Sequence, residues 1–236
     1  MNRLHHIRSE EKKYHDYCYD QYKLFEQGSW LYKPVQTVID LLPLIEKDHP
    51  RVLDLGCGVG RNSIPIAQAV KAYNGKVICV DLLNSAIEKL DQYRKMYDVE
   101  EEIELHQEDI GQYQIIRNEY DLILAVSALE HTASETEFEQ ALRQMAAGTK
   151  QGGINCLIVN SSMEEIDLTT GDNLEVLLEV NLSTAEMMSK LERIYDGWEV
   201  LRQVVKPLEY EIVRGERKIL LKTSAITYVA RRESND

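Results

Sequence analysis

The stretch RVLDLGCGVGRNS, residues 51–63, places three glycines within five residues directly after a short apolar run. The apolar run has the length of a buried strand, and Pro65 after Asn62 fits the first turn of a following helix. Glycines between a strand and a helix let a ligand approach the backbone, and the helix amides favour an anionic group. The turn is therefore a candidate ligand-binding loop, with a purely structural turn as the alternative.

Four more strand-like runs follow at intervals, and segments of helical period separate them. They are KVICVD (76–81), EIELHQ (102–107), YDLILAV (120–126) and GINCLIVN (153–160). The pairs Ser85 with Glu88, Ser134 with Glu137 and Ser183 with Glu186 match the capping box and predict helix starts.

After Gly197 two longer runs, 198–212 and 217–232, flank Arg214-Gly215 with no helix between them, which predicts an antiparallel pair. The fold class predicted from the whole pattern is α/β, a doubly wound and mostly parallel seven-stranded sheet. A C-terminal antiparallel pair and an N-terminal helical segment complete it.

The 236 residues suffice for one domain, and the formal net charge of −13 opposes binding to a phosphate backbone. No apolar run is long enough to span a membrane, and the charged N-terminus does not resemble a secretion signal. We therefore expect a soluble, cytoplasmic protein with no membrane partner, either monomeric or homodimeric, and nucleic acid is disfavoured as a partner. The four cysteines are far apart and indicate neither a disulfide framework nor zinc.

A dinucleotide loop would need a third small residue, where the helix packs against the strand. Counted from Gly56 that position is Arg61, and counted from Gly58 it is Ser63. A nicotinamide or flavin cofactor is therefore disfavoured. The spacing is instead Asp-x-Gly-x-Gly-x-Gly, with Asp54 two residues before the first glycine.

The segment VLDLGCGVGRNS resembles the first motif of class I S-adenosylmethionine-dependent methyltransferases, and its GRNS ending is similar to the tellurite-resistance branch. The resemblance covers about residues 34–160 and continues more loosely into YDGWEVLR (195–202). It implies a Rossmann-like methyltransferase fold, S-adenosyl-L-methionine as cofactor, and transfer of a methyl group to an acceptor.

The resemblance also implies a cofactor site. Asp54 and Gly56 would hold the methionine end, Gly58 and Gly60 would line the turn, and Asp81 would accept both ribose hydroxyls. Residue types support the last assignment, because a carboxylate accepts two hydrogen bonds and donates none. The remaining residues implied are Leu82 on the adenine, Asp109 and Ile110 at its amino group and ring, Ala125 at the ammonium, and Leu129 in the pocket wall. Glu108 beside Asp109 is an open alternative.

Methyl transfer from a sulfonium depends chiefly on positioning, so a general base is optional. His131 is the first candidate for a base, because it follows the fourth strand and imidazole titrates near neutral pH. The alternative is a histidine that only caps or packs a helix start, and Glu130 is a weaker candidate. No clustered set of metal-ligating residues is evident, so no metal is predicted.

Residues 1–33 form a Tyr-rich N-terminal extension, and 34–236 the methyltransferase domain. Family members often close the active site with such an extension, which makes Tyr14, Tyr22, Trp30 and Lys33 candidates for the substrate side. The segment 160–181 is the other substrate-side candidate, although its acidic residues read as solvated.

The prediction from sequence is a methyltransferase acting on a small molecule. No Asn-Pro-Pro-Tyr or Asp-Pro-Pro-Tyr motif follows the fourth strand, which disfavours amino-methylating enzymes of nucleic acids. The alternatives left open are a protein or tRNA acceptor, and a cofactor-binding protein without turnover.

Overall fold

A computed structural model describes residues 3–214 and 217–234, whose strands form one mixed sheet. The strands are β1 (Arg51–Leu55), β2 (Lys76–Asp81), β3 (Ile103–Gln107), β4 (Tyr120–Val126), β5 (Thr149–Asp167), β6 (Asn173–Leu174), β7 (Glu199–Arg214) and β8 (Arg217–Arg231). Their order is β3-β2-β1-β4-β5-β8-β7, and β6 pairs with β5 beside this path. The first five are mutually parallel, whereas β8 runs antiparallel to both neighbours.

Six α-helices accompany the sheet in the described residues. They are α1 (Arg3–Gln21), α2 (Gln36–Leu41), α3 (Ser63–Lys71), α4 (Asn84–Met96), α5 (Glu135–Gly148) and α6 (Thr184–Ile194). Successive side chains of the central strands point to opposite faces of the sheet and join two apolar clusters. Val52 packs with α3 and α4 on one face, whereas Leu53 packs with α5 and α6 on the other. Burial on both faces explains why β1, β2 and β4 read as continuous apolar runs.

The predicted fold class is confirmed, and β1, β2 and β4 have the predicted bounds. β5 is much longer than its apolar run, because residues beyond 160 continue as a ribbon paired with β8. The ribbon corrects one expectation: Glu165 and Asp167, read as solvated, are buried, and Glu165 accepts hydrogen bonds from Leu177 and Arg214. Gly215 lies outside the described residues.

The three capping patterns have different outcomes. Ser183 and Glu186 form the complete box, and the Ser134 hydroxyl accepts from the amide of Glu137. Ser85 does not cap α4, because the helix starts two residues earlier, at Asn84 after Leu83. The Ser85 hydroxyl donates to Asp16 of α1 instead. No helix among the described residues is both long and apolar enough to cross a membrane.

Two serine-to-alanine variants distinguish the helix cap at Ser183 from the tertiary contact between Ser85 and Asp16. We expect Ser183→Ala to lower the free energy of unfolding by about 1 kcal/mol, because the amide of Glu186 loses its acceptor. Ser85→Ala should leave α4 intact and weaken only the attachment of α1. Urea unfolding with helix content followed by circular dichroism measures both. A larger loss of stability for Ser85→Ala would contradict the assignment of the caps.

Candidate active site

The glycine loop after β1 is held by hydrogen bonds to β2. The amides of Gly56 and Cys57 donate to the carbonyl of Val80, at 2.8 and 3.1 Å. Gly56, Gly58 and Gly60 all have positive φ, at 72°, 53° and 91°. A Cβ on Gly56 would lie 2.3 Å from the Cβ of Ala128, so glycine is required here by close packing as well as by conformation.

Asp81 at the end of β2 supports the loop directly. Its Oδ2 accepts from the amide of Gly58 at 2.8 Å, and its Oδ1 accepts from the amide of Leu83 at 2.9 Å. Each carboxylate oxygen has two lone pairs, so both can accept a further hydrogen bond from a ligand. Burial raises the pKa of Asp81, although the two amides oppose that shift. Leu82, the predicted adenine contact, is exposed beside it.

Asp54 lies beneath the loop rather than at its surface. Its side chain is buried and accepts a hydrogen bond from the Ser63 hydroxyl of α3 at 2.6 Å. Burial raises the pKa of Asp54 to about 7, with Ser63 opposing the shift and the Asp81 carboxylate adding to it. In this position Asp54 ties the loop to the start of α3, so it can position the loop for a ligand.

Asp109 follows β3, on the same edge as Asp81. Its Oδ1 accepts from the amide of Gly111 at 2.9 Å, and its Oδ2 accepts from Arg8 of α1 at 2.8 Å. Ile110 is partly buried against the second apolar cluster. Ala125 and Leu129 are fully buried at the end of β4 and in the short helix that follows.

The helix α1 lies across this edge of the sheet. Besides the Arg8 contact, Asp16 accepts from Ser85, and the Tyr19 hydroxyl lies 3.2 Å from where a Cβ on Gly58 would be. At the other end of the helix, Arg3 donates to the carbonyls of Val176 and Leu178 and pairs with Glu175. The N-terminal extension therefore contacts the glycine loop through Tyr19 and the segment 160–181 through Arg3.

The candidates of the N-terminal extension, Tyr14, Tyr22, Trp30 and Lys33, lie in different surroundings. Tyr14 is exposed, whereas the buried Tyr19 faces Gly58. Trp30 packs on His15 and Tyr19, and the guanidinium of Arg61 lies 5.0 Å from its ring centre. Tyr22 packs against the first apolar cluster, and the Lys33 ammonium lies 4.9 Å from the Tyr32 ring.

His131 lies between two carboxylates. Its Nδ1 is 2.9 Å from Glu11 Oε2 of α1 and 3.1 Å from Glu179 Oε2. Burial would lower the pKa of His131, but Glu11, Glu179 and Glu130 raise it well above its usual value. Burial likewise opposes the ionisation of Glu11, yet His131 and His15 lower the pKa of Glu11 to about 2. The three side chains thus form one hydrogen-bonded, charged cluster at this edge of the sheet.

Sequence reasoning missed Arg8, Glu11, His15, Tyr19 and Glu179. Four of them lie on α1 with helical spacing, so a single face of the helix carries them to the edge. Nothing in the sequence around Glu179, LLEVN, distinguishes it from a solvated acid. Glu130, the weaker candidate base, points away toward β5, where its Oε1 accepts from Asn160.

Comparisons with known proteins agree with this geometry. Residues 52–153 match the family described as "Methyltransferase domain". The chain is 25% identical over 174 residues to carboxy-S-adenosyl-L-methionine synthase of Shewanella pealeana, covering 73% of this chain and 68% of that protein. It resembles the crystal structure of TehB from Haemophilus influenzae with a TM-score of 0.63 and 20% identity, over 93% of this chain and 67% of that one. A methyltransferase structure from Methanosarcina mazei gives a TM-score of 0.59 with 15% identity, over 85% of this chain and 99% of that one.

The fold and the loop define a Rossmann-like enzyme that binds a nucleoside cofactor at the carboxyl edge of its sheet. Residues 52–153 match a methyltransferase domain, and the fold is that of Rossmann-like methyltransferases. The chain is an S-adenosylmethionine-dependent enzyme. The residues described fit that cofactor, because the three glycines of the loop carry no side chains and Asp81 offers unused lone pairs.

Proposed function

We propose that the protein transfers a methyl group from S-adenosylmethionine to a small-molecule acceptor by in-line displacement. The observation that supports the proposal is that α1 covers the site. Arg8, Glu11 and Arg3 of α1 contact residues after β3, after β4 and in the segment 160–181. An acceptor must therefore fit between these elements and the glycine loop, a position that suits a small molecule better than a folded macromolecule. The net charge of −13 also opposes tRNA.

The proposed cofactor residues have distinct tasks. When bound, the sulfonium supplies an activated methyl group. Asp81 accepts the ribose hydroxyls while it holds the amide of Gly58, and Leu82 packs on the adenine. Asp109 and Ile110 meet the adenine amino group and ring, whereas Ala125 and Leu129 line the methionine side. Asp54 acts from below by fixing the loop to Ser63.

The role of His131 as a general base stays a prediction. Glu11 and Glu179 weigh against it, because they favour the protonated imidazole while α1 is in place. A protonated His131 would instead orient the acceptor by donating a hydrogen bond. Methyl transfer remains feasible, since alignment of acceptor and methyl carbon is the main requirement.

We further propose that residues 1–33 act as a lid on the domain 34–236. The ion pairs of Arg8 and Glu11 are contacts that such a lid would make when closed. Four free, buried cysteines support a cytoplasmic location, where thiols stay reduced. A monomer and a homodimer are both compatible with this proposal.

Asp109 and Glu108 can be separated by paired variants. We expect Asp109→Asn to weaken cofactor binding about tenfold, because an acceptor for the adenine amino group and the partner of Arg8 is lost. Glu108→Gln removes the same charge one residue away and should change affinity less than twofold. Isothermal titration with S-adenosylmethionine measures both. The reverse ranking would transfer the adenine role to Glu108.

The proposed function is tested with S-adenosylmethionine labelled in its methyl group. The purified chain is incubated with separated small-molecule, protein and tRNA fractions, and label is followed into each. Label in the small-molecule fraction is expected, and an Asp81→Asn variant serves as the cofactor-binding control. Label confined to protein or tRNA would overturn the acceptor class, and no transfer into any fraction would favour a binding protein without turnover.

A second candidate is modification of the cofactor itself. The Shewanella relative is named for a carboxylated derivative of S-adenosylmethionine. Such a reaction would need a cation free to hold a carboxylate, and Arg8 and His131 already face carboxylates of this chain. That pairing favours methyl transfer. Mass spectrometry of the recovered cofactor distinguishes the two, since a carboxylated product is heavier than its substrate.

A further inference from the structure

Three separate segments bring one imidazole and two carboxylates to a common point. Glu11 comes from α1, His131 from the short helix after β4, and Glu179 from the segment before α6. Glu11 Oε2, His131 Nδ1 and Glu179 Oε2 all lie within 4.8 Å of one another. Two carboxylates thus converge on a single ring nitrogen.

The spacing of these atoms fits a metal ion. Ligands about 2.1 Å from a cation and at right angles to each other are about 3.0 Å apart. The two carboxylate oxygens lie 2.9 and 3.1 Å from His131 Nδ1. A cation could therefore take the place of the imidazole proton with little movement of its ligands.

A second observation comes from Glu179. Its side chain is only 1% exposed, and its Oε1 accepts no hydrogen bond. A buried carboxylate oxygen without a partner is unfavourable. Arg8 faces this oxygen, with its Nε 3.7 Å away and with no hydrogen bond at that nitrogen, because the guanidinium donates to Asp109 through Nη2. The protein groups alone thus leave this carboxylate incompletely satisfied.

The charged groups around the cluster are unequal in number. The carboxylates of Glu11, Glu179 and Asp109 face Arg8, His131 and His15, whose Nε2 lies 3.6 Å from Glu11 Oε1. Among these basic groups only Arg8 carries a permanent positive charge. A divalent cation bound here would offset the excess of carboxylates.

We propose that Glu11, His131 and Glu179 bind a divalent first-row transition-metal cation. One imidazole with two carboxylates is a mixed nitrogen and oxygen set, which suits Mn²⁺, Fe²⁺ or Zn²⁺. Three protein ligands leave at least one coordination position for an oxygen of the acceptor. The ion would also join α1 to the domain, so metal binding and closure of the lid would be coupled.

The test uses Mn²⁺ and the full chain without cofactor, so its outcome does not depend on the proposed methyl transfer. The loss of the electron paramagnetic resonance signal of free Mn²⁺ measures binding. We expect one Mn²⁺ per chain with a dissociation constant of about 10⁻⁴ M or tighter. Zn²⁺ should displace it competitively.

Matched variants assign the ion to the cluster. Glu11→Gln and Glu179→Gln should each weaken Mn²⁺ binding at least about tenfold. Glu10→Gln, next on α1 and paired with Lys13, and Glu175→Gln, which loses only Arg3, should not. Glu11 is partly exposed, so its variant keeps the test valid if removal of the buried Glu179 prevents folding. Absence of stoichiometric binding, or equal losses in all four variants, would show that the cluster is an ion-paired imidazolium only.

Discussion

Gly56→Ala should lower the free energy of unfolding by about 3 kcal/mol, because two costs coincide at this residue. Its φ of 72° is unfavourable for any residue with a Cβ, and the new methyl group would lie 2.3 Å from the Cβ of Ala128. Carbon atoms in contact are normally about 3.5–4.0 Å apart. The overlap involves two short groups fixed to backbone, so no side-chain rotation relieves it.

Gly197→Ala is the matched control for that prediction. Gly197 has a similar φ of 77°, but a Cβ there would meet no atom within 4 Å. Gly197→Ala should lower the free energy of unfolding by only about 1 kcal/mol, because only the conformational cost of a positive φ applies. The difference between the two variants in urea unfolding then reports the close approach of the loop to Ala128.

A double variant tests the same contact from the other side. Gly56→Ala combined with Ala128→Gly should recover about 1–2 kcal/mol relative to the sum of the single variants, because the overlapping methyl is removed. Equal costs for Gly56→Ala and Gly197→Ala, or strict additivity in the double variant, would mean that the loop relaxes freely. The glycines would then be explained by conformation alone.

The parts of the fold that sequence predicted well are those with local signals. β1, β2 and β4 are buried on both faces, so their apolar runs begin and end with the strands. The outer half of β5 has no such signal, because its residues 161–167 are mostly polar and gain order through pairing with β8. The pattern at Ser85 was misleading, since the carboxylate of Asp81 already holds the amide of Leu83 and fixes an earlier start for α4.

The candidate site likewise contains residues that the sequence predicted and residues that it did not. The glycine loop is a recognisable motif that follows β1, and Asp81 ends β2. Because β1 and β2 are parallel neighbours, the loop and Asp81 lie at the same edge of the sheet. Arg8 meets Asp109, and Glu11 meets His131, only because α1 docks across the edge, over separations of 101 and 120 residues. Glu179 reaches His131 from 48 residues further along the chain. No local pattern encodes such docking. The sequence therefore indicated the cofactor but not the charged cluster beside it.

Asp81→Asn should weaken S-adenosylmethionine binding about a hundredfold, or about 2.7 kcal/mol, while it lowers the free energy of unfolding by only about 1 kcal/mol. The two effects separate because of what the carboxylate does in each state. With the cofactor it would accept charge-assisted hydrogen bonds from the ribose, whereas in the free protein burial already disfavours its ionised form. An asparagine keeps the shape but offers one oxygen to two amide donors, those of Gly58 and Leu83.

The raised pKa of Asp81 gives the same prediction a pH dependence. Only the ionised carboxylate accepts from both ribose hydroxyls at once, so affinity should fall as the pH drops through that pKa. The decline should begin at a higher pH than for an ordinary aspartate, and Asp81→Asn should abolish it. Isothermal titration over a pH series measures the effect, and Asp98→Asn, which removes an equal charge from an exposed pair with Lys71, is the control. An affinity loss below threefold, or one matched by lost stability, would remove Asp81 from the ribose site, because a residue that only supports the loop would affect both quantities together.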